Sequence, residues 1–396
     1  MRIPLLDLSG QYRSLEREIL TEIKEVLATQ RFILGPKLEQ FEKAIATYCG
    51  VDYAIGVSSG TDALLVALMA LEIGPGDAVL TSAYSFFGTA GSIARVGATP
   101  LFVDIDPGTY NLSAASLRSY LDHHCKPDAD GELRDARGRK IRAIMPVHLF
   151  GLCAEMNEIL TIAREHDLLV IEDAAQAIGA EYPLEAGPAR AGTMGDIGCF
   201  SFYPSKNLGA AGDAGLVVCR DEATAKRLRI VREHGMEPRY YHHVIGGNFR
   251  LDELQAAILN VKLPHLDEWS EARREAADFY AKEFDRAGLT KMVTLPTEPY
   301  RETGLRNHHI YHQYVIRTER RDELQVHLSK REVGTAIYYP LGLHEQECFH
   351  YLGNKRGDFP ETERAARETL ALPIFPEISR DAQKYVVDSI AEFLEK

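Results

Sequence analysis

An α/β fold, with a large domain built on a mostly parallel sheet and a smaller C-terminal α+β domain, is what this sequence predicts. Short apolar runs alternate with helix-period segments through the first two-thirds of the chain, which is the signature of a parallel sheet covered on both faces. Near residue 263 the alternation stops and a different pattern begins. The expected division is therefore residues 1–262 and 263–396.

In chain order, "SLEREILTEIKEVLAT" and "LEQFEKAIATYCG" carry apolar residues at helical spacing, and Gly50 serves as a helix stop. "YAIGVSS" reads as a strand, "GTDALLVALMALEIG" as a helix, "DAVLTSA" as a strand, "FFGTAGSIARVG" as a helix and "TPLFVDID" as a strand. "IRAIMPVHLF", "LLVIEDA", "IGCFSFYP" and "AGLVVCR" add strands, with the helix "EMNEILTIAREH" between the first two. "HHCKPDADGELRDARGRK" is expected to be an exposed insertion without chemistry. From Leu251 a long helical segment runs past Pro264, where a kink or break is expected. Beyond it, "HHIYHQYVIRT" predicts an antiparallel strand, "RDELQVHLSKREV" a helix and "DAQKYVVDSIAEFLEK" a closing helix.

The 396 residues carry 45 basic and 58 acidic side chains, a formal charge of −13, with no basic stripe. That balance argues against nucleic-acid binding, and an anionic substrate would have to be held by local donors. No apolar run is long enough to span a bilayer, and the N-terminus turns polar too soon for a signal peptide. Six scattered cysteines without CxxC spacing read as buried, reduced thiols of a cytoplasmic protein. The paired histidines in "DHHCK" and "NHHIY" lack metal-ligand spacing and read as solvated loop residues, so no metal is expected.

Three stretches are candidates for chemistry. In "FSFYPSKNLGAAGDAGLVV", Lys206 sits where a strand runs into a glycine-rich turn. It reads either as a strand-end lysine with its ammonium in water or as a Schiff-base lysine, partly desolvated and aimed at a carbonyl. "SSGTDALLVAL" places Gly60 and Thr61 at a strand-to-helix turn, which is either a phosphate site or a plain N-cap. "LLVIEDAAQAIGA" runs an apolar strand into Glu172 and Asp173, where open parallel sheets bind ligands. Asp173 there suits a cationic ligand nitrogen or a helix cap, and Gln176, one turn on, is placed to bond the same ligand. Pyridoxal phosphate unites these pieces: it takes a lysine for its aldehyde, an acid for its pyridinium nitrogen, a helix N-terminus for its phosphate and a flat group on its ring. Lys206, Asp173, the Gly60–Thr61 turn and an aromatic from "TSAYSFFGTA" supply all four.

"IEDAAQAIGA", "GTMGDIGCFSFYPSKNLGAAGDAGLVV" and "GGNFRLDELQAAIL" resemble the DegT/DnrJ/EryC1/StrS family of nucleotide-sugar aminotransferases. The likeness runs from "RFILGPKLEQFE" through "PVHLFG" to "YYPLGLHEQECF" and "LALPIFPEIS". It implies the fold-type-I, aspartate-aminotransferase-like architecture, a homodimer with shared active sites, and transfer of an amino group from a donor, glutamate, to a keto group of a nucleotide-linked sugar. By position it implies that Lys206 holds the cofactor aldehyde and Asp173 its pyridine nitrogen. Gln176 is implied beside the ring, Phe86 stacked on it, and Ser201, Gly60, Thr61 and the Asp62 amide at its phosphate. Asn248 resembles the asparagine that reaches the partner's cofactor phosphate, although Gly247 stands where many members carry an aromatic. Arg31, Arg250, Tyr338, Tyr339 and His344 are the substrate-contact candidates, each with a structural alternative in packing or ion pairing; His148 stays unassigned. A pyridoxal-phosphate sugar dehydratase and a non-catalytic, cofactor-binding regulator are the rival readings. Retention of Lys206, which some relatives replace with histidine to become dehydratases, favours transamination over the first.

Overall fold

A computed structural model describes residues 1–394 of the chain; Glu395 and Lys396, the end of the closing helix expected from the sequence, lie outside the described residues. Helices α1 (Ser9–Thr29) and α2 (Pro36–Cys49) open the chain, and Gly50 ends α2 with a left-handed φ of 70°. Then follow β1 (Tyr53–Val57), α3 (Gly60–Ala70), β2 (Asp77–Ser82), α4 (Gly88–Arg95), β3 (Thr99–Val103) and α5 (Ala114–His124). Residues 125–140 form a hairpin of β4 (Cys125–Pro127) and β5 (Leu133–Asp135) that leans on β6 (Lys140–Met145). Next come α6 (Met156–Glu165), β7 (Leu169–Asp173), the ribbon β8 (Glu181–Leu184) and β9 (Gly187–Arg190), then β10 (Ile197–Ser201), β11 (Gly215–Cys219), α7 (Glu222–Arg232) and α8 (Glu253–Lys262).

The main sheet has the order β1-β11-β10-β7-β6-β2-β3. β10, β7, β6, β2 and β3 pair in parallel, whereas β11 is antiparallel to both β10 and β1. The reason is the connection: residues 202–214 contain no helix, and a parallel return needs a longer crossover, usually helical. The five or six residues of each central strand are almost all buried, because helices cover both faces. α3 packs on one face with β1, β2, β7 and β10. It is apolar nearly all round because α4 and α7 close over its outer side. Burying side chains such as Leu64, Leu65 and Val66 stabilises by about 1.5–3 kcal/mol each. On the other face α2, α5, α6 and α8 share a second layer.

The helical run after Leu251 breaks at Pro264, as the ring requires, into a short 3-10 turn and α9 (Leu266–Arg286). A separate core then gathers α9, the antiparallel pair β12 (Tyr314–Arg317) and β13 (Thr369–Leu372), α10 (Arg321–Lys330) and α12 (Arg380–Leu394), with α11 (Pro360–Glu368) preceding β13. Ile3 packs into this core as well, and its backbone bonds to Glu332 and Gly334. The first residues of the chain therefore sit against its last third.

All six cysteines are free thiols, and five are buried as expected; Cys348 is exposed instead, because the short 3-10 segment Glu347–Leu352 turns Phe349 and Leu352 inward and leaves Cys348 outside. No helix among the described residues is long and apolar enough to cross a membrane. One histidine departs from the expected solvated state. His309 is buried and stacked on Tyr311 with ring centroids 3.8 Å apart, and burial pushes its pKa down to about 3, so the ring is neutral. An apolar setting, not the polar look of "NHHIY", decides its state.

Candidate active site

The C-terminal edge of the parallel strands is where β1, β2, β7 and β10 hand over to loops, and a cavity of about 560 Å³ opens there. Its walls include Gly60, Thr61, Ser85, Phe86, Asp173 and Gln176 from those loops. Ser201, Lys206, His312, Gln313, Tyr338 and Tyr339 line it as well. Residues from positions 59 to 339 meet there because parallel strands point all their C-terminal loops the same way.

β7 and β10 are neighbours in register, with Cys199 opposite Asp173. Side chains alternate faces along a strand, so Asp173 and its neighbour Glu172 point apart. Asp173 faces the cavity, buried, and burial raises its pKa against hydrogen bonds and the charge of Lys206. Its Oδ2 accepts from Thr89 Oγ1 at 2.7 Å and its Oδ1 from the Ala175 amide at 3.2 Å. Glu172 turns inward and accepts from the amides of Gly192, Met194 and Gly195 at 2.8, 2.6 and 2.6 Å. His148 Nδ1 accepts from the Ala154 amide, so its Nε2 carries the proton and donates to Glu172 at 2.7 Å. His148 therefore serves the interior and does not line the cavity.

Lys206 lies in the turn that follows β10, where its backbone N–H donates a hydrogen bond to the Tyr203 carbonyl at 2.8 Å. Part of its surface stays open to the cavity, but protein crowds the ammonium. Desolvation lowers its pKa to about 8, with Asp173 pulling the other way. A strand-end lysine with its ammonium in water would not behave so.

The turn at Gly60 lies directly on β10 and β11. A Cβ at position 60 would stand 2.5 Å from Ser201 Cβ, and one at position 215 would stand 2.2 Å from the Ser59 carbonyl oxygen. Only glycine permits both approaches. The amides of Gly60 and Thr61 open α3 and have no helical acceptor. The Asp62 amide is different: Ser59 Oγ takes it at 3.0 Å, and the Asp62 carboxylate bonds the hydroxyls of Ser58 and Ser59. Asp62 is thus engaged in capping the helix and does not line the cavity.

Gln176 is fixed in orientation. Its Oε1 accepts from the Phe150 amide at 2.8 Å and its Nε2 donates to Tyr339 Oη at 3.0 Å. Tyr84, fully buried, donates to the Tyr338 carbonyl and accepts from the Tyr339 amide, which pins that segment over the cavity. Phe86 is 57% exposed at the cavity edge, 6.2 Å from the Tyr339 ring.

Besides Asp62, four of the residues singled out from the sequence lie elsewhere. His344 is buried 4.7 Å from the Phe359 ring, with Nε2 3.4 Å from Glu363, because the chain turns inward after Leu341. Arg31 and Asn248 are exposed on the surface, and Arg250, partly buried, lines a different hollow. The sequence reading did not include Ser85, Thr89, Tyr203, His312 or Gln313. His312 Nδ1 donates to Asn207 Oδ1 at 3.1 Å, leaving Nε2 as an acceptor. Burial and the nearby Lys206 charge hold its pKa well below the usual histidine range.

The acid, the half-buried lysine, the open helix N-terminus and the aromatic edge together fit a phosphorylated pyridine aldehyde. Comparison with known proteins agrees. The sequence profile of the DegT/DnrJ/EryC1/StrS aminotransferase family matches residues 13–391. The chain is 47% identical to a pleiotropic regulatory protein of Geobacillus stearothermophilus, covering 99% of both chains. It is 41% identical to UDP-N-acetyl-3-dehydro-alpha-D-glucosamine 3-aminotransferase of Acidithiobacillus ferrooxidans, over 96% of this chain and 94% of that one. The crystal structure of S. venezuelae DesV in complex with a ketimine intermediate is similar with a TM-score of 0.89 and 38% identity, covering 100% of this chain and 99% of that one.

Proposed function

Because this chain belongs to the DegT/DnrJ/EryC1/StrS aminotransferase family, whose members are pyridoxal-phosphate-dependent, we propose that it is a pyridoxal-phosphate aminotransferase acting on a keto group of a nucleotide-linked sugar, with glutamate as the amino donor. The observation that carries this reading is the meeting of Lys206 and Asp173 in one cavity at the ends of β7 and β10. Bound pyridoxal phosphate would supply an electron sink for the carbanion left when a substrate carbon loses its proton. Lys206 Nζ takes the α-proton from the amino donor and, in the reverse half of the reaction, gives a proton to the sugar carbon. Asp173, negative and desolvated, keeps the pyridine nitrogen protonated. The Gly60 and Thr61 amides with Ser201 would hold the phosphate, and Phe86 and Gln176 would fix the ring. Production of 2-oxoglutarate from glutamate, dependent on an added nucleotide keto sugar, tests the reading; its absence across a panel of such sugars would reject it. The regulatory name of one relative favours a second reading, cofactor binding without turnover, and the same assay separates the two.

The lowered pKa of Lys206 gives a pH signature. A lysine captures an aldehyde only as the neutral amine, and the neutral fraction rises with pH until it saturates above the pKa. The rate of cofactor capture by the apoprotein should climb about tenfold per pH unit below 8 and flatten above it. Stopped-flow absorbance between pH 6 and 10 checks this. A climb that continues to pH 10 would mean an ordinary, solvated lysine.

The cavity walls of the single chain hold one full cation, Lys206, among the described residues. Glutamate carboxylates and nucleotide phosphates need more. Asn248 is exposed near Tyr240, Tyr241 and Ile245, which are 73%, 68% and 91% exposed. Such an apolar patch suits burial against a second copy. We assign Asn248, Arg31 and Arg250 to the partner's site in a cytoplasmic homodimer. Mixing inactive Lys206→Ala subunits with inactive Asn248→Asp subunits should restore partial activity, because one site of each hybrid regains both native residues. Heterodimers without activity, or a monomer that turns over, would reject the shared site.

A further inference from the structure

Asp173 is not alone in the wall. Thr89, on the first turn of α4 and 1% exposed, places Oγ1 2.7 Å from Asp173 Oδ2. Ser85, 4% exposed, places its hydroxyl 2.8 Å from the same Thr89 oxygen and lines the cavity itself. A hydroxyl has one proton to give. An ionised Asp173 can only accept, so Thr89 must donate to it, and Ser85 must then donate to Thr89. The three groups form a chain with one direction, Ser85 to Thr89 to Asp173, ending on the carboxylate.

We propose that Thr89 is a positioning residue, oriented by Ser85, that keeps the proton shared between Asp173 and the cofactor's ring nitrogen on the nitrogen. The inference rests on the cofactor reading above. Where an acid and a pyridine share one proton, its location follows their relative basicity. A hydroxyl donating to the carboxylate stabilises the anion and weakens Asp173 as a base, more strongly in a buried site than in water. Without that donor, the Asp173 carboxylate keeps, among the described residues, only the long hydrogen bond from the Ala175 N–H at 3.2 Å. The carboxylate then competes for the proton, and a ring nitrogen without it is a poorer electron sink. The other groups around Asp173 cannot replace the donor. Lys206 acts through charge alone, the His148 ring is turned to Glu172, and Cys199 opposes Asp173 only through the backbone register.

The test uses cofactor labelled with ¹⁵N at the ring nitrogen, bound to the full-length protein. In wild type the resonance should lie at the protonated position. Thr89→Val, which keeps the shape and removes the hydroxyl, should move it toward the unprotonated position, and Thr89→Ser should return it. kcat should fall roughly tenfold to a hundredfold in the valine variant while KM for both substrates holds. A merely structural threonine would lower the melting temperature without moving the resonance. Ser85→Ala gives a second line, with a smaller displacement in the same direction, should the valine variant not fold. An unmoved resonance in Thr89→Val, or in Ser85→Ala in that case, overturns the inference. A wild-type protein that shows no bound-cofactor resonance overturns instead the cofactor reading beneath it.

Discussion

Lys206→Ala is expected to abolish turnover, with a loss of roughly 10³-fold or more, while the apoprotein stays at least as stable as wild type. Both halves follow from the same setting. The amine is placed in the cavity to pass a proton to and from a substrate carbon, and among the described residues no other lysine lines the walls. Yet its ammonium is desolvated, with a folded-state pKa near 8 against 10.5 for an ordinary lysine. A lowered lysine pKa means that the charged form is disfavoured on folding. That penalty is fully present below pH 8 and fades as pH rises from 8 toward 10.5. The apo variant should therefore melt at or above wild type at pH 7, with the difference shrinking toward pH 10. Loss of stability at pH 7 together with retained activity would identify Lys206 as a structural residue.

Asp173→Asn should bind cofactor and lose about 10²- to 10³-fold in kcat. The amide preserves shape but carries no charge to keep a proton on a facing nitrogen. It also alters the hydrogen bond from Thr89, which no longer ends on an anion. KM for the amino donor should change little, since the effect falls on the electron sink. Steady-state kinetics with both substrates measure the split, and a kcat near wild type would leave Asp173 as no more than the cap it was weighed against.

The parts of this site that were legible in the sequence are those whose chemistry is local. Lys206 announced itself by a strand running into glycines, Asp173 by the end of an apolar run, and Gly60–Thr61 by a strand-to-helix turn. Thr89 lies 84 positions from the carboxylate it bonds and sits in a helix whose sequence calls for no such role. His312 is equally silent, since its state depends on Asn207 and Lys206 across the fold. The reversal of β11 was readable in principle, because residues 202–214 offer no crossover helix. His344 follows the two cavity tyrosines closely in sequence, but a single turn at 341–343 carries it into the interior. Proximity along a chain predicts proximity in space only while the chain stays extended.

The contact between the Gly60 turn and the strand ends has a consequence for how this chain can change. A methyl at position 60 would collide with the Ser201 side chain, so Gly60→Ala is harmful alone, and Ser201→Gly would relieve the worst of that collision while leaving the Cα of residue 201 at a tight 3.2 Å. The two positions, 141 apart, have an order in which they can be altered. Position 215 has no such route. The obstacle there is the Ser59 carbonyl oxygen, which belongs to the backbone and cannot be trimmed by any substitution. The crowding at one glycine can be partly relieved by its neighbour, and the other is fixed by the path of the main chain.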